Sequence, residues 1–405
     1  MNRWKIRRST VDIILLIISF YEITGIPHFL FLLLKYVIIL RLIILYYKEC
    51  KKKKMIVIPV LLYGGITFIS TMINQTLFNK SVASFVYILH ILAIYMTISS
   101  FIKKRGIKEL VSCLIKILLS IIAVTDVPML FLNYDFSNPS TSYLIGNKFA
   151  VSYLHCFVAA LIFLLGDEKN KTLKYSKKRF GDKIDQFIFL VFSIIICIRV
   201  NCTTGVLICL LMGVMIYFPF PMKTKIFISN PIFMILLTFI INILIFGSFS
   251  LLTNPYVANF VSKTLGKSGT WIGRIHIYAI IMDVIKVHPW IGYGYFSNII
   301  DDIIGFGNAQ NGVLKIIIDS GIIGLSGYIL LVRNSLKNYA LSSRKLWPLI
   351  VFVYCMILAS IAEINLTDYL FFLCASIIFC TTTCEDKSID LKMEKLEENC
   401  EWHGK

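Results

Sequence analysis

The side chains best able to do chemistry gather between residues 252 and 331. Arg274, His276, Asp283, Lys286, His288, Trp290, Asp301, Asp302, Gln310 and Asn311 stand there between two apolar runs. Elsewhere the chain alternates apolar runs with short basic connectors. Further ionisable residues fall toward the same end of those runs: Glu22, Asp126, Lys148, Arg199, Lys315, Asp319 and Glu363. An ionisable group at membrane depth costs about 2.5–3.5 kcal/mol on insertion scales, so each points to function or to a paired structural role. Arg199, Arg274 and Lys148 suit an anionic lipid headgroup, above all a diphosphate, because a guanidinium grips phosphate through two parallel hydrogen bonds. The carboxylates and amides suit the handling of a hydroxyl. Lys35, Arg41 and Lys116 read as snorkelling or structurally paired cations. His90 and His155, in mid-run, read as hydrogen-bonding packers.

Several chemistries are excluded. No P-loop is present to drive a pump. No DxD motif marks a metal-held sugar nucleotide. Gly269–Gly273 and Gly292–Phe296 contain glycines but lack the strand–turn–helix context of a dinucleotide fingerprint. The eleven cysteines show no CxxC or Cys/His spacing, so neither a disulfide framework nor a metal site is expected, and no cofactor. They read as small apolar residues.

These residues need a membrane scaffold to position them. The chain of 405 residues is 57% hydrophobic and 16% charged, against roughly 25% charged in soluble domains. Continuous apolar runs of roughly 17–25 residues each cross a hydrocarbon core, and their continuity excludes an alternating β-barrel. The expected fold is all-α: a polytopic transmembrane bundle of about 12 spans. They are placed at 10–26, 29–47, 56–73, 82–102, 110–132, 148–166, 186–202, 203–220, 226–250, 313–332, 346–362 and 369–383. Basic Met1–Arg8 followed by Val11–Phe20 resembles a signal peptide without a small-residue cleavage site, and reads as an uncleaved first span. The net charge of +18 would suggest nucleic acid in a soluble protein; here it reflects basic cytoplasmic connectors, and no nucleic-acid partner is expected. Of the 41 Lys and Arg, 30 fall on the side that holds both termini, which places the termini in the cytoplasm and the 252–312 insert outside. The expected organisation is spans 1–9 over residues 1–250, a large extracytoplasmic loop over 251–312, spans 10–12 over 313–383 and a cytoplasmic tail over 384–405.

Within the insert, His276, Ala279, Asp283 and Lys286 share one helical face, and Ile277, Ile281, Val284 and Ile285 the other. This spacing predicts an amphipathic helix at the outer interface, stopped by His288-Pro289-Trp290. Residues 299–304 form a second short element. Asn311, Lys315 and Asp319 recur every fourth residue as a polar stripe, with Lys315 and Asp319 able to pair.

The order Arg274, then Pro289-Trp290-Ile291-Gly292-Tyr293-Gly294, then Gln310-Asn311, then Gly321-Ile322-Ile323-Gly324-Leu325 resembles the signature region of the O-antigen ligase/polymerase superfamily. Leu144–Leu165 and Thr203-Thr204-Gly205-Val206-Leu207 resemble two further family segments. The resemblance implies a Wzy-type polymerase of the bacterial cytoplasmic membrane, making capsular or similar surface polysaccharide. It would join oligosaccharide repeat units carried on undecaprenyl diphosphate, without metal or nucleotide, at the outer face. A ligase of the same superfamily and a lipid-linked oligosaccharide flippase are the alternatives. The bilayer, a flippase and a chain-length regulator are implied partners. Arg274 matches the loop arginine that holds the diphosphate, and Arg199 and Lys148 would add charge. His276, His288, Trp290, Gly292 and Gly294 would line the donor region. Two departures stand out. Gln310-Asn311 replaces the family's His-Asn, so the general base at that position is absent, and Cys202-Thr203 replaces Ser-Arg. Glu363, Asp319, His276 and His288 are the candidate bases, with Glu363 favoured.

Overall fold

Away from water every backbone N–H and C=O must be satisfied within its own segment, so the apolar runs coil into helices. The computed structural model describes residues 8–23, 27–52, 54–75, 78–131, 142–172, 180–247, 268–305 and 309–383. Among the described residues there is no β-strand beyond an isolated bridge between Tyr143 and Gly146. The helices are α1 (Arg8–Ile18), α2 (His28–Lys52), α3 (Lys54–Asn74), α4 (Phe78–Phe131), α5 (Lys148–Thr172), α6 (Phe180–Arg199), α7 (Thr203–Tyr217), α8 (Met222–Ile228) and α9 (Pro231–Gly247). They continue with α10 (Ser268–Val287), α11 (Ile299–Ile304), α12 (Gly312–Ser335), α13 (Tyr339–Lys345), α14 (Trp347–Ala359) and α15 (Tyr369–Thr383).

Five of these helices are long and apolar enough to cross a membrane: His28–Lys48, Met55–Asn74, Asn79–Met129, Lys148–Gly166 and Gly312–Ser335. The number reaches 7 if the bent pairs α8–α9 (61°) and α13–α14 (115°) each count as one span. Among the described residues, the expected count of 12 is therefore not confirmed by helices of membrane length. The 51 residues of Asn79–Met129 would make a rod of about 75 Å, far beyond a bilayer core of about 30 Å. The break at Gly106 (φ 78°, ψ 170°) divides them. The first span is a correction. Residues 10–26 were expected to cross, but α1 ends at Ile18. Ser19 then turns its hydroxyl to the Leu16 carbonyl and to His90, and Phe20 and Tyr21 pack inward instead of continuing the helix.

Lipid-facing stripes repeat at helical spacing. Leu30, Leu33, Leu34, Val37, Leu40 and Ile44 are exposed on α2, and Ile232, Leu236, Phe239, Ile240, Ile243 and Leu244 on α9. Inside, α3 packs along α12, α4 against α2, α3 and α5, and α14 against α5 and α7. Two buried carboxylates of these helices are paired, as the cost of burial requires. Arg41 meets Asp12 at 2.9 Å, and His155 meets Asp126 at 3.1 Å. Cys156, Cys197 and Cys209 converge with their sulfurs within 4.8 Å of one another, a grouping their sequence spacing did not announce.

The insert is built into the bundle on one flank. α10 is amphipathic as expected: Ile277, Ile281 and Val284 are buried, while Asp283 and Lys286 are exposed and pair at 2.7 Å. It ends at Val287, before Pro289. The following segment, 289–294, enters a break in α12 at Gly321 (φ 65°, ψ −169°). In an unbroken helix the N–H groups of Ile322 and Ile323 would bond the carbonyls of Ile318 and Asp319. Here Ile322 and Ile323 donate instead to Pro289 (2.9 Å) and Trp290 (3.2 Å). The freed carbonyls of Ile318 and Asp319 accept from Tyr293 (2.6 Å) and Gly294 (3.0 Å). The C-terminal end of α3 clamps the same segment: Asn74 donates to the Gly292 carbonyl at 3.1 Å and Gln75 to the Tyr293 carbonyl at 2.9 Å. The two glycine motifs singled out in the sequence are thus one structural joint.

Candidate functional site

At the same end of the bundle a cavity of about 480 Å³ opens. Its walls come from four regions: Phe20, Tyr21 and Glu22 after α1; Ile145, Gly146 and Asn147 before α5 with Phe149, Ala150 and Tyr153 on it; Phe296 and Gln310 from the insert; and Glu363, Ile364, Asn365, Thr367 and Asp368 after α14 with Tyr369 and Leu370 at the start of α15. Aromatic rings, amides and carboxylates line it together, the mixture a hydroxyl-rich ligand with an apolar face requires.

The wall at 360–368 is held by its backbone. Gly312 N–H donates to the Ser360 carbonyl at 2.7 Å. The Tyr278 hydroxyl and the Asn311 amide both donate to the Ile361 carbonyl, at 3.2 and 3.1 Å. Tyr328 reaches the Leu366 carbonyl at 2.8 Å, and Tyr87 the Thr367 carbonyl at 3.3 Å. Asn365 turns back to the Met356 carbonyl at 2.8 Å. Side chains on this wall therefore project from a braced frame, which is what precise chemistry needs.

Of the residues expected from sequence, Gln310 and Glu363 are brought into the cavity wall. Gln310 has φ 50°, a left-handed conformation costing a non-glycine residue about 1–2 kcal/mol. Its carbonyl accepts from Tyr278 at 2.9 Å, so α10 holds the strained residue in place. Glu363 is nearly buried and accepts a hydrogen bond from Thr204 at 3.1 Å, which ties it to the first turn of α7. Lys148 begins α5 between the lining residues Asn147 and Phe149, with its ammonium 5.6 Å from the Phe149 ring. Arg199 ends α6 and is exposed. Arg274 and His276 lie within α10, but their side chains fall outside the described residues.

The others serve elsewhere. Asp319 is buried and paired with Lys315 at 2.6 Å, away from the lining residues. His288 and Trp290 are exposed, with His288 edge-on to Tyr293 at 4.7 Å. Gly292 and Gly294 have φ 70° and 94°, and added side chains would strike α12 and α3 backbone. Their freedom serves the joint. Asn311 is fully buried and N-caps α12, accepting from Val313 (2.9 Å) and Leu314 (3.1 Å) while its amide donates to Asn242 at 2.7 Å. Replacing it strips a cap and leaves buried groups unpaired, roughly 2–4 kcal/mol in sum. Asn311→Ala is expected to lower the melting temperature in detergent clearly, whereas Asn311→Asp, which keeps the cap, recovers part of the loss.

Sequence reasoning missed Asp368, Tyr21 and Tyr153. Asp368 heads α15 at the cavity wall, and its Oδ1 accepts the Leu370 N–H at 2.7 Å. Loss of hydration pushes its carboxyl up to about 6. The Tyr21 and Tyr153 hydroxyls and Asn365 Oδ1 are buried without a hydrogen-bond partner among the described residues. The available signal was an Asp directly ahead of a final apolar run, five residues after Glu363. Glu22, also in the wall, pairs with His28 at 2.5 Å.

Residues 188–329, about a third of the chain, match the model of the family described as O-Antigen ligase. The match spans α6 through most of α12, including Arg199, Arg274 and Gln310, and stops short of Glu363 and Asp368. No curated protein matches the chain.

Proposed function

We propose that this chain, which carries a domain of the O-antigen ligase/polymerase superfamily, polymerises oligosaccharide repeat units carried on undecaprenyl diphosphate at the outer face of the bacterial cytoplasmic membrane. The observation that carries the reading is the cavity wall: the residue at the family's histidine position, Gln310, shares it with Glu363, aromatic rings and amides. Family resemblance supplies the donor class, and the wall supplies a place for an acceptor sugar.

In this reading Arg274, aided by Arg199 and Lys148, holds the donor diphosphate and stabilises its growing charge as it leaves. Position 274 lies one helical turn before Tyr278, the residue that fixes Gln310. Gln310 orients the acceptor hydroxyl, which it can bond but not deprotonate. A wall carboxylate takes the proton, and the hydroxyl oxygen displaces the lipid diphosphate at the anomeric carbon. The donor is already activated, so the reaction needs no nucleotide. The insert lies outside the cell and both termini inside. A ligase would use the same donor and differ in its acceptor.

Cells depleted of the protein are expected to accumulate single repeat units on lipid at the outer face, open to an impermeant periodate label. Accumulation only at the inner face would instead identify a flippase.

A further inference from the structure

We infer that Asp368 is the general base of this site, its carboxylate taking the acceptor hydroxyl's proton as that oxygen bonds to the anomeric carbon. The inference rests on the glycosyl-transfer reading above and assigns the role that Gln310 leaves vacant.

Geometry comes first. Asp368 lies in the cavity wall that also holds Gln310 and Glu363, largely buried but not sealed off. The Leu370 N–H fixes one carboxylate oxygen, which orients the other. Among the described residues no Lys, Arg or His pairs with Asp368. The other two carboxylates of the wall are engaged, Glu22 with His28 and Glu363 with the Thr204 hydroxyl. A base held by a cation loses proton affinity, so the unpaired carboxylate is the better acceptor.

The surroundings point to a sugar. Tyr21 and Tyr153 are 7% and 3% exposed, and Asn365 is 2% exposed. Each carries an unpartnered polar atom and each lines this cavity. An unmet buried polar atom costs about 1–3 kcal/mol, and native interiors seldom keep three together. Two hydroxyls that can donate and a carbonyl oxygen that accepts match the hydroxyls of a pyranose, with the aromatic residues Phe20, Phe149 and Tyr369 in the same wall.

Basicity fits the task. A carboxyl at about 6 is ionised near neutral pH yet holds a proton far better than an ordinary aspartate. The groups facing it are Tyr21 and Glu22 after α1, Tyr153 of α5, Glu363 of its own wall and Tyr369 beside it. Lys35 of α2 stands behind Tyr369, donating to its hydroxyl at 3.2 Å. In the step, the acceptor O–H breaks and its proton passes to Asp368. The oxygen–anomeric carbon bond forms, and the bond from that carbon to phosphate oxygen breaks, its electron pair leaving with the lipid diphosphate. Asp368 then releases the proton to water at the cavity mouth. Glu363 is a positioning residue that orients the acceptor beside it.

The test uses the full-length purified protein with a lipid-diphosphate-linked repeat unit, measuring kcat against pH and donor binding. Wild type is expected to lose activity as pH falls through about 6, because the base becomes protonated. Asp368→Asn is expected to lose about 10²–10⁴-fold in kcat with donor binding within a few-fold. Added formate should restore part of the activity of Asp368→Ala, and Asp368→Glu should remain active with a displaced acid limb. Glu363→Gln, by contrast, should mainly raise KM and keep the acid limb. Wild-type kcat in Asp368→Asn, an unmoved acid limb in Asp368→Glu, or absence of formate rescue would overturn the assignment. If wild type itself forms no glycosidic bond, the glycosyl-transfer reading fails instead, a result separable from all of these.

Discussion

Arg274→Ala is expected to abolish long polymer and leave single repeat units on lipid, at unchanged protein level. A diphosphate leaving group gathers negative charge as its bond to the anomeric carbon breaks, and a guanidinium aimed at it acts where water is scarce. Losing one such donor costs about 10²–10³ in rate, or roughly 3–4 kcal/mol of barrier. In the proposed polymerase, chain length would multiply the effect, because each chain needs many successive transfers. Arg274→Lys should recover only part, since an ammonium keeps the charge but loses the two-pronged grip. The checks are gel sizing of surface polysaccharide and mass analysis of the lipid-linked pool. Long polymer from Arg274→Ala would remove the arginine from the mechanism. The two neutral variants Asp283→Asn and Lys286→Gln supply the control on the same helix, because their exposed pair is worth at most about 1 kcal/mol.

Gly321→Val should prevent the bundle from folding. Gly321 sits at φ 65°, ψ −169°, a region open essentially to glycine alone. A Cβ there would fall on the Trp290 carbonyl. Backbone strain of about 1–3 kcal/mol adds to overpacking of about 1–3 kcal/mol. Displacing segment 289–294 also unpairs the four backbone bonds that replace the missing helical turn, each costing about 1–3 kcal/mol when buried and unmet. The sum, roughly 5 kcal/mol or more, is a large part of the 5–15 kcal/mol that holds a typical domain. The measurement is monodispersity and thermal stability in detergent. A well-folded Gly321→Val protein would show that the joint between α12 and the insert is dispensable. Ser326→Ala, on the exposed face of the same helix, should be near neutral.

The local periodicities read well from sequence. The stop at His288-Pro289-Trp290, the element at Ile299–Ile304, the buried face of α10 and the Lys315–Asp319 pair all depend on neighbours a few residues apart. Long-range placement was harder. Gly292 and Gly294 look like ligand-approach glycines until Ile318 and Thr71 occupy the space beside them. Asn311 stands beside the family's histidine position, yet its side chain is spent on a cap and on Asn242. Asp368 resembles any helix-starting aspartate, and only folding shows that its wall faces Tyr21 and Tyr153. The first span failed for a related reason. Residues 19–23, Ser-Phe-Tyr-Glu-Ile, are as suited to lining a cavity as to extending a helix, and the partner that decides, His90, is 71 residues away from Ser19.

The most direct measurement is to incubate the purified protein in lipid nanodiscs with a single lipid-diphosphate-linked repeat unit and size the products. A ladder of two, three and more units on lipid, with release of free lipid diphosphate and without nucleotide, is the expected result. Transfer of one unit to a different acceptor would identify a ligase. Unchanged starting material from folded, monodisperse protein would contradict glycosyl transfer altogether.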